Sequence, residues 1–189
     1  MQDKQQTYKY LNDFAKYVIQ QSRSNLSKQG KSFEKKLYNS LDAEIEVGAN
    51  SFRLTFLMED YGKFVDKGVR GKEPSKVSPN AKIKGQQAPQ SEYRFGSGNF
   101  SGKWGDFTNK LEKWVKAKGL RFRDSKGKYK EGNAKSMAQV VARNIYSRGI
   151  KPSLFFTKPF EKAFERLPDE LVEAYGLDVE QFLKYTITK

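Results

Sequence analysis

Asp42, Glu44 and Glu46 occupy alternate positions of Leu41-Asp42-Ala43-Glu44-Ile45-Glu46-Val47, and Glu59-Asp60 closes the next apolar run. Carboxylates at that spacing share one face of a strand, an oxygen donor set of the kind that holds Mg²⁺ in a nuclease. A solvated strand face carries the same residues far more often, and nothing in the spacing favours the metal. A second set with chemical potential is the mixture of Lys and Arg with Tyr93, Phe95, Trp104, Phe122 and Tyr129. Grooves that track single-stranded nucleic acid combine cations with stacking rings in this way. No named nucleic-acid-binding pattern accompanies it.

Most other chemistry is excluded by residue type. With no His and no Cys, there is no zinc finger, thiolate nucleophile, haem or iron–sulfur ligation, and no His base. Gly96-Ser97-Gly98 follows no strand and opens no glycine-spaced helix, so it is not a phosphate loop. Lys and Tyr are abundant, but nothing marks one as activated. The chain is therefore expected not to be an enzyme and to carry no cofactor or metal. The polar start Met1-Gln2-Asp3-Lys4-Gln5-Gln6 has no apolar signal core, and no apolar run approaches the ~20 residues of a membrane span. A soluble, non-secreted protein is expected.

Charge is concentrated rather than spread. Residues 1–60 hold 9 basic and 8 acidic groups, residues 61–130 hold 18 and 6, and residues 131–189 hold 9 and 8. The net +14 of the 189-residue chain therefore sits in the middle third, as expected of a surface that faces something negative. Aromatic residues make up 14% of the chain, too many for a disordered polyelectrolyte.

The elements that must position these groups follow from periodicity. Leu11, Phe14, Ala15, Val18 and Ile19 predict an amphipathic helix over 7–28, with Thr7 as a cap and Gly30 past its end. Residues 41–47 and 52–56 alternate around a Gly48-Ala49-Asn50-Ser51 turn and predict a hairpin. Tyr61, Phe64 and Val65 have helical spacing, and Gly68 is placed to stop a short helix. Residues 71–103 show no period, and a loop of that length is usually functional or disordered. Trp104, Phe107, Leu111, Trp114 and Val115 predict a helix with a buried stripe, ended by Gly119. Residues 120–129 read as a small basic hairpin turning at Asp124 to Gly127. Met137, Val140, Val141, Asn144 and Ile145 predict a further helix, ended by Gly149. Thr157 and Pro159 open a last helix whose stripe is Phe160, Ala163, Phe164 and Leu167. Pro168 is expected to kink or break it, and Gly176 to separate two pieces.

The order of these features is itself informative. The hairpin is followed by Tyr61-Gly62-Lys63-Phe64-Val65-Asp66-Lys67-Gly68-Val69-Arg70-Gly71, and the last helix is opened by Gly149-Ile150-Lys151-Pro152-Ser153-Leu154-Phe155-Phe156. Over most of residues 7–170 this resembles the neck and tail-completion (head–tail connector) proteins of tailed bacteriophages. The departures are the long 72–103 segment and the chain past Pro168. The resemblance implies a virion structural protein at the head–tail junction, made in the bacterial host cytoplasm and assembled as a ring of six or twelve copies. Portal or connector and tail proteins would be its neighbours, with packaged DNA in the lumen and no membrane contact.

The expected architecture is a single α+β domain over 1–189. A small antiparallel sheet near 41–58 is covered by amphipathic helices, 71–103 is an inserted basic arm, and 168–189 is a C-terminal helical extension. Expected partner contacts are Lys72, Lys76, Lys82, Lys84, Tyr93, Arg94, Phe95 and Phe100 in the arm. Arg121, Arg123, Lys126 and Lys128 form a partner- or DNA-facing basic hairpin. Tyr61, Phe64, Gly68, Gly149, Pro152, Phe155 and Phe156 are expected to define the fold. The rival reading is a non-specific nucleic-acid-binding protein using the basic 61–130 region.

Overall fold

The computed structural model describes residues 5–30, 35–48, 51–73, 85–96, 104–124, 126–129 and 132–187, with side chains as far as 178. Among the described residues the chain is α+β, with seven helices and two antiparallel sheets of two strands each. It divides into two compact units. The first joins residues 1–66 to 153–189, and the second is the stretch between, Lys67–Pro152.

Unit 1 is built on α1 (Gln5–Lys28), whose apolar positions bury Leu11, Phe14, Ala15, Val18 and Leu26 along one face. β1 (Asp42–Val47) pairs antiparallel with β2 (Phe52–Leu57), Asp42 opposite Leu57 and Val47 opposite Phe52. The inward residues Ile45, Phe52, Leu54 and Phe56 pack on the α1 stripe. Val47, at the hairpin's end, is exposed instead. Rings from two helices, a strand and the turn before the second helix meet here: Phe14 lies edge-on to Phe56 at 6.1 Å and to Phe160 at 5.7 Å, and Phe56 edge-on to Phe156 at 5.2 Å. Each such pair adds about 0.5–1.5 kcal/mol beyond the area it buries. A second cluster centres on Leu26, Leu41 and the fully buried Phe155, with Leu37 supplied by the short α2 (Lys36–Ser40). One helical turn shows no period, so α2 has no signature in the sequence.

Two buried aspartates fix helix starts far from them in sequence. Asp66, at the end of α3 (Gly62–Lys67), accepts from the Phe156 amide (2.9 Å), the Thr157 amide (3.2 Å) and the Thr157 hydroxyl. These are the orphan donors at the start of α6 (Thr157–Phe164), where a negative charge is favoured by the helix dipole. Thr157 therefore donates to the cap rather than supplying it. Asp178, on α7 (Leu167–Ile187), accepts from the Gln6 amide (3.1 Å), the Thr7 amide (3.0 Å) and the Thr7 hydroxyl (2.7 Å), and so closes the start of α1. Pro168 stands in the first turn of α7, and the break falls just before it, between Phe164 and Leu167. Gly176 does not divide α7. Of the residues expected to define the fold, Phe155 and Phe156 lie in the core, whereas Tyr61 is 41% exposed.

The chain leaves unit 1 after Asp66 and returns at Ser153. The Ser153 amide donates to the carbonyls of Val65 (3.1 Å) and Asp66 (3.0 Å), so exit and return lie side by side.

Unit 2 starts with β3 (Val69–Arg70), paired antiparallel with β4 (Gly149–Ile150). Two residues per strand leave no alternation to read. Gly149 sits at φ 94, and a Cβ there would strike the Val69 carbonyl, so only glycine fits the crossing. The bulk of the unit is α4 (Trp104–Ala117) packed on α5 (Ala134–Arg148). Ala138 and Ala142 of α5, one turn apart, are fully buried, and so is Val115 of α4. The buried centre of α5 is thus the alanine ridge, and Val140, expected inside, is exposed because it lies half a turn away. Asn133 caps α5 by accepting from the Ser136 amide at 2.7 Å. Gly119 (φ 61) ends α4, with Leu120 N–H reaching the Val115 carbonyl at 3.1 Å.

Candidate partner interface

The expected arm and basic hairpin both fall in unit 2, and they differ in what they expose. Of the arm, Lys76, Lys82, Lys84 and Phe100 lie outside the described residues. The segment 85–96 is stitched to the unit's body. Gln86 spans Gly71, accepting from its amide (2.6 Å) and donating to its carbonyl (3.2 Å). Ser91 donates to the Gly68 carbonyl at 2.7 Å. Arg70 and Arg94 form a parallel bridge in which Arg70 N–H meets the Tyr93 carbonyl (2.8 Å) and Phe95 N–H meets the Arg70 carbonyl (2.9 Å). Ala88 and Ser91 are buried, and so is Phe95, 7% exposed.

Phe95 is therefore not a ring held out for a partner. It packs on Tyr146 (5.6 Å), as does Trp104 edge-on (5.8 Å), while the Lys72 ammonium sits 5.9 Å from the same ring. Tyr146 organises this group, and nothing in its neighbourhood Asn144-Ile145-Tyr146-Ser147 marks it out in sequence. Trp104, expected in a buried stripe, is 46% exposed: as the first residue of α4 it meets Tyr146 and Phe107 edge-on and leaves the rest of its ring in solvent. Tyr93 is half-buried and Arg94 exposed. Burial raises the Tyr93 phenol above its usual range, and a hydrogen bond to Glu92 together with that carboxylate's charge adds to the effect.

In the basic turn Arg121, Arg123, Asp124 and Lys126 to Tyr129 are exposed, and Phe122 is half-buried. Arg123 pairs with Tyr129 in an antiparallel bridge, and Gly127 N–H closes on the Asp124 carbonyl at 3.0 Å. The single bridge is shorter than a hairpin of two strands. One Asp124 carboxylate oxygen accepts from the Lys126 and Lys128 amides, both at 2.9 Å. That Asx-type arrangement ties the turn's one carboxylate to backbone. The Lys126 and Lys128 side chains stay in solvent. Tyr129, 64% exposed, gathers the arginines: the Arg123 guanidinium lies 4.7 Å and that of Arg121 5.8 Å from its ring centre. Arg123 also donates to the Tyr129 hydroxyl at 3.1 Å and to the Gly127 carbonyl at 3.4 Å. The role of Tyr129 was legible in principle. A plain turn at Asp124 to Gly127 would set residue 128 opposite residue 123; Gly127, at φ 80, adds a one-residue bulge and brings residue 129 there instead.

On unit 1, the outward face of β1 presents Asp42, Glu44 and Glu46 to solvent, and Glu46 pairs with Arg53 across the hairpin at 3.4 Å. Among the described residues, no three acidic side chains converge to hold a metal ion, and no helix is long and apolar enough to cross a membrane. The same unit carries an open apolar groove of about 600 Å³ between β2, α6 and α7, lined by Phe52, Leu54, Phe160, Phe164, Leu171 and Tyr175. Against known protein families, curated proteins and solved structures, the chain finds no match.

Proposed function

We propose that this chain is a structural subunit of a tailed-bacteriophage head–tail junction, a neck or tail-completion ring that links portal or connector to tail and helps retain packaged DNA. The observation that carries the reading is the pair of segments on which the resemblance rests. Residues 61–71 and 149–156 were recognised separately in sequence, and each completes the other's local structure. Asp66 of the first caps the helix that the second opens, and Val69 of the first pairs with Ile150 of the second. Motifs whose work is to hold one another in place fit a protein that assembles rather than one that turns over a substrate.

Two surface features support the same reading. Phe164, Val172 and Tyr175 leave large apolar side chains in solvent along α6 and α7 (49%, 74% and 62% exposed), surface of a kind that assembly contacts bury. Unit 2 carries a strong excess of positive charge, which suits a protein beside a DNA channel. A head-to-tail contact repeated by rotation closes into a ring, and in such a ring each copy offers both surfaces.

The test is production of particles in cells whose copy of this gene is deleted. Filled heads without joined tails, restored to joined particles by adding the purified protein, are expected. Mass spectrometry should find the chain in mature particles. Normal tailed particles lacking the protein would overturn the reading.

A further inference from the structure

We propose that the turn from Arg121 to Tyr129 is a sequence-independent binding site for the phosphate backbone of DNA, and that Tyr129 is its positioning residue. This deepens the junction reading and rests on it for the source of the DNA, the packaged genome. Four cations project from nine residues, and the local carboxylate, Asp124, is engaged by two backbone amides. The two arginines are held at one tyrosine ring rather than free to wander. Guanidinium groups meet phosphate with paired donors in a fixed plane, so fixing two of them beforehand lowers the ordering cost of binding.

The wider unit selects the partner. Lys67–Pro152 holds 21 Lys+Arg against 6 Asp+Glu, net +15, whereas the remainder of the chain holds 15 against 16. Copies of so positive a unit repel one another, so unit 2 of a second copy is a poor occupant of this turn. A polyanion with evenly spaced charges neutralises it. Backbone contacts carry no base information, so discrimination between sequences is not expected.

The experiment is fluorescence anisotropy of the purified full chain with a labelled mixed-sequence DNA duplex and with its single strand, across a salt series. Binding of both is expected, falling steeply with salt as counterions are released. R121Q/R123Q should weaken duplex binding at least tenfold at about 50 mM salt and reduce the log–log salt slope by about 1.8, the value for two lost phosphate contacts. The control K9Q/K158Q removes the same charge from exposed positions of unit 1 and should stay within twofold of the parent. Tyr129→Ala should weaken binding several-fold with the salt slope unchanged, and Tyr129→Phe, which keeps the ring, should restore it.

Equal losses in R121Q/R123Q and the control would reduce the effect to net charge and overturn the site. A parent-like Tyr129→Ala would overturn the positioning role. No DNA binding at about 50 mM salt would overturn the whole inference and leave an acidic protein as the partner of this face. A parent chain that binds no DNA yet joins particles normally breaks this inference alone. Intact DNA binding by a chain absent from particles breaks the junction reading alone.

Discussion

The two units solve the folding problem with different materials. Unit 1 is close to electrically neutral and buries large side chains, Phe155, Leu26, Leu41 and Val18 among them. Unit 2 carries net +15 and centres on Val115, Ala138 and Ala142, with few large apolar groups fully enclosed. Burial stabilises by about 25 cal/mol per Å² of apolar surface, so unit 1 has the larger hydrophobic term. Unit 2 has a smaller one and must also offset repulsion among its own cations. The lesson is a division of labour. One part concentrates the burial of large apolar side chains, and the other combines a thinner core with a large excess of positive charge.

The contrast is broken most directly at the centre of unit 1. Phe155→Ala removes a ring with no solvent exposure from between Leu26, Leu37 and Leu41. A loss of about 3–5 kcal/mol is expected in urea unfolding followed by tryptophan-independent circular dichroism. A loss below about 1 kcal/mol would mean that unit 1 is not the better packed of the two. Asp66→Ala comes next. It strips two amides and one hydroxyl of a charged acceptor inside unit 1 and should cost about 3 kcal/mol, with Asp66→Asn recovering part of it. Helix α6 should then show faster amide hydrogen exchange than α1, whose own cap from Asp178 is untouched.

Unit 2 is tested by overfilling instead of emptying. Ala142 is fully buried on α5, the helix that packs on α4. Ala142→Leu forces the two helices apart and should cost about 2 kcal/mol. Hydrogen exchange should rise in α4 and α5 while Phe155 and its neighbours keep their protection. If the loss spreads equally to both units, they fold as one cooperative body and the division drawn above fails.

What was legible in the sequence, and what was not, follows the same physical line. The 3.6-residue stripe of α1 and the alternation of the 42–57 hairpin were readable because one face of each is buried against a large core. Gly68 and Gly149 were readable as stops because few other residues tolerate their backbone. In unit 2 the signal is weaker. Alanines do the packing, so the larger Val140 points to the wrong face of α5, and Trp104, which heads the α4 stripe, stays half exposed. The β3–β4 pair and the seating of 85–96 depend on backbone hydrogen bonds between remote residues, which leave no period. The basic turn was visible as charge. The gathering of Arg121 and Arg123 at Tyr129 required the register across the turn.

Gly176 gives the smallest and sharpest test, because there local propensity and tertiary contact disagree. Propensity sets glycine about 1 kcal/mol behind alanine in a helix interior, enough to read position 176 as a break. In the folded chain α7 runs through it from Leu167 to Ile187. Ala174 on one side is fully buried and Asp178 on the other is tied to the first turn of α1. Those anchors outweigh the local penalty and carry the helix across the glycine. A Cβ at 176 would meet nothing within 4 Å. Gly176→Ala should therefore stabilise unit 1 by about 1 kcal/mol, read as a higher urea midpoint at unchanged slope. If the substitution is neutral, the penalty was not present, and α7 is not continuous at that point in solution. If it destabilises, the position touches something in an assembled form of the protein, and measuring the effect against protein concentration would identify that contact as one between copies.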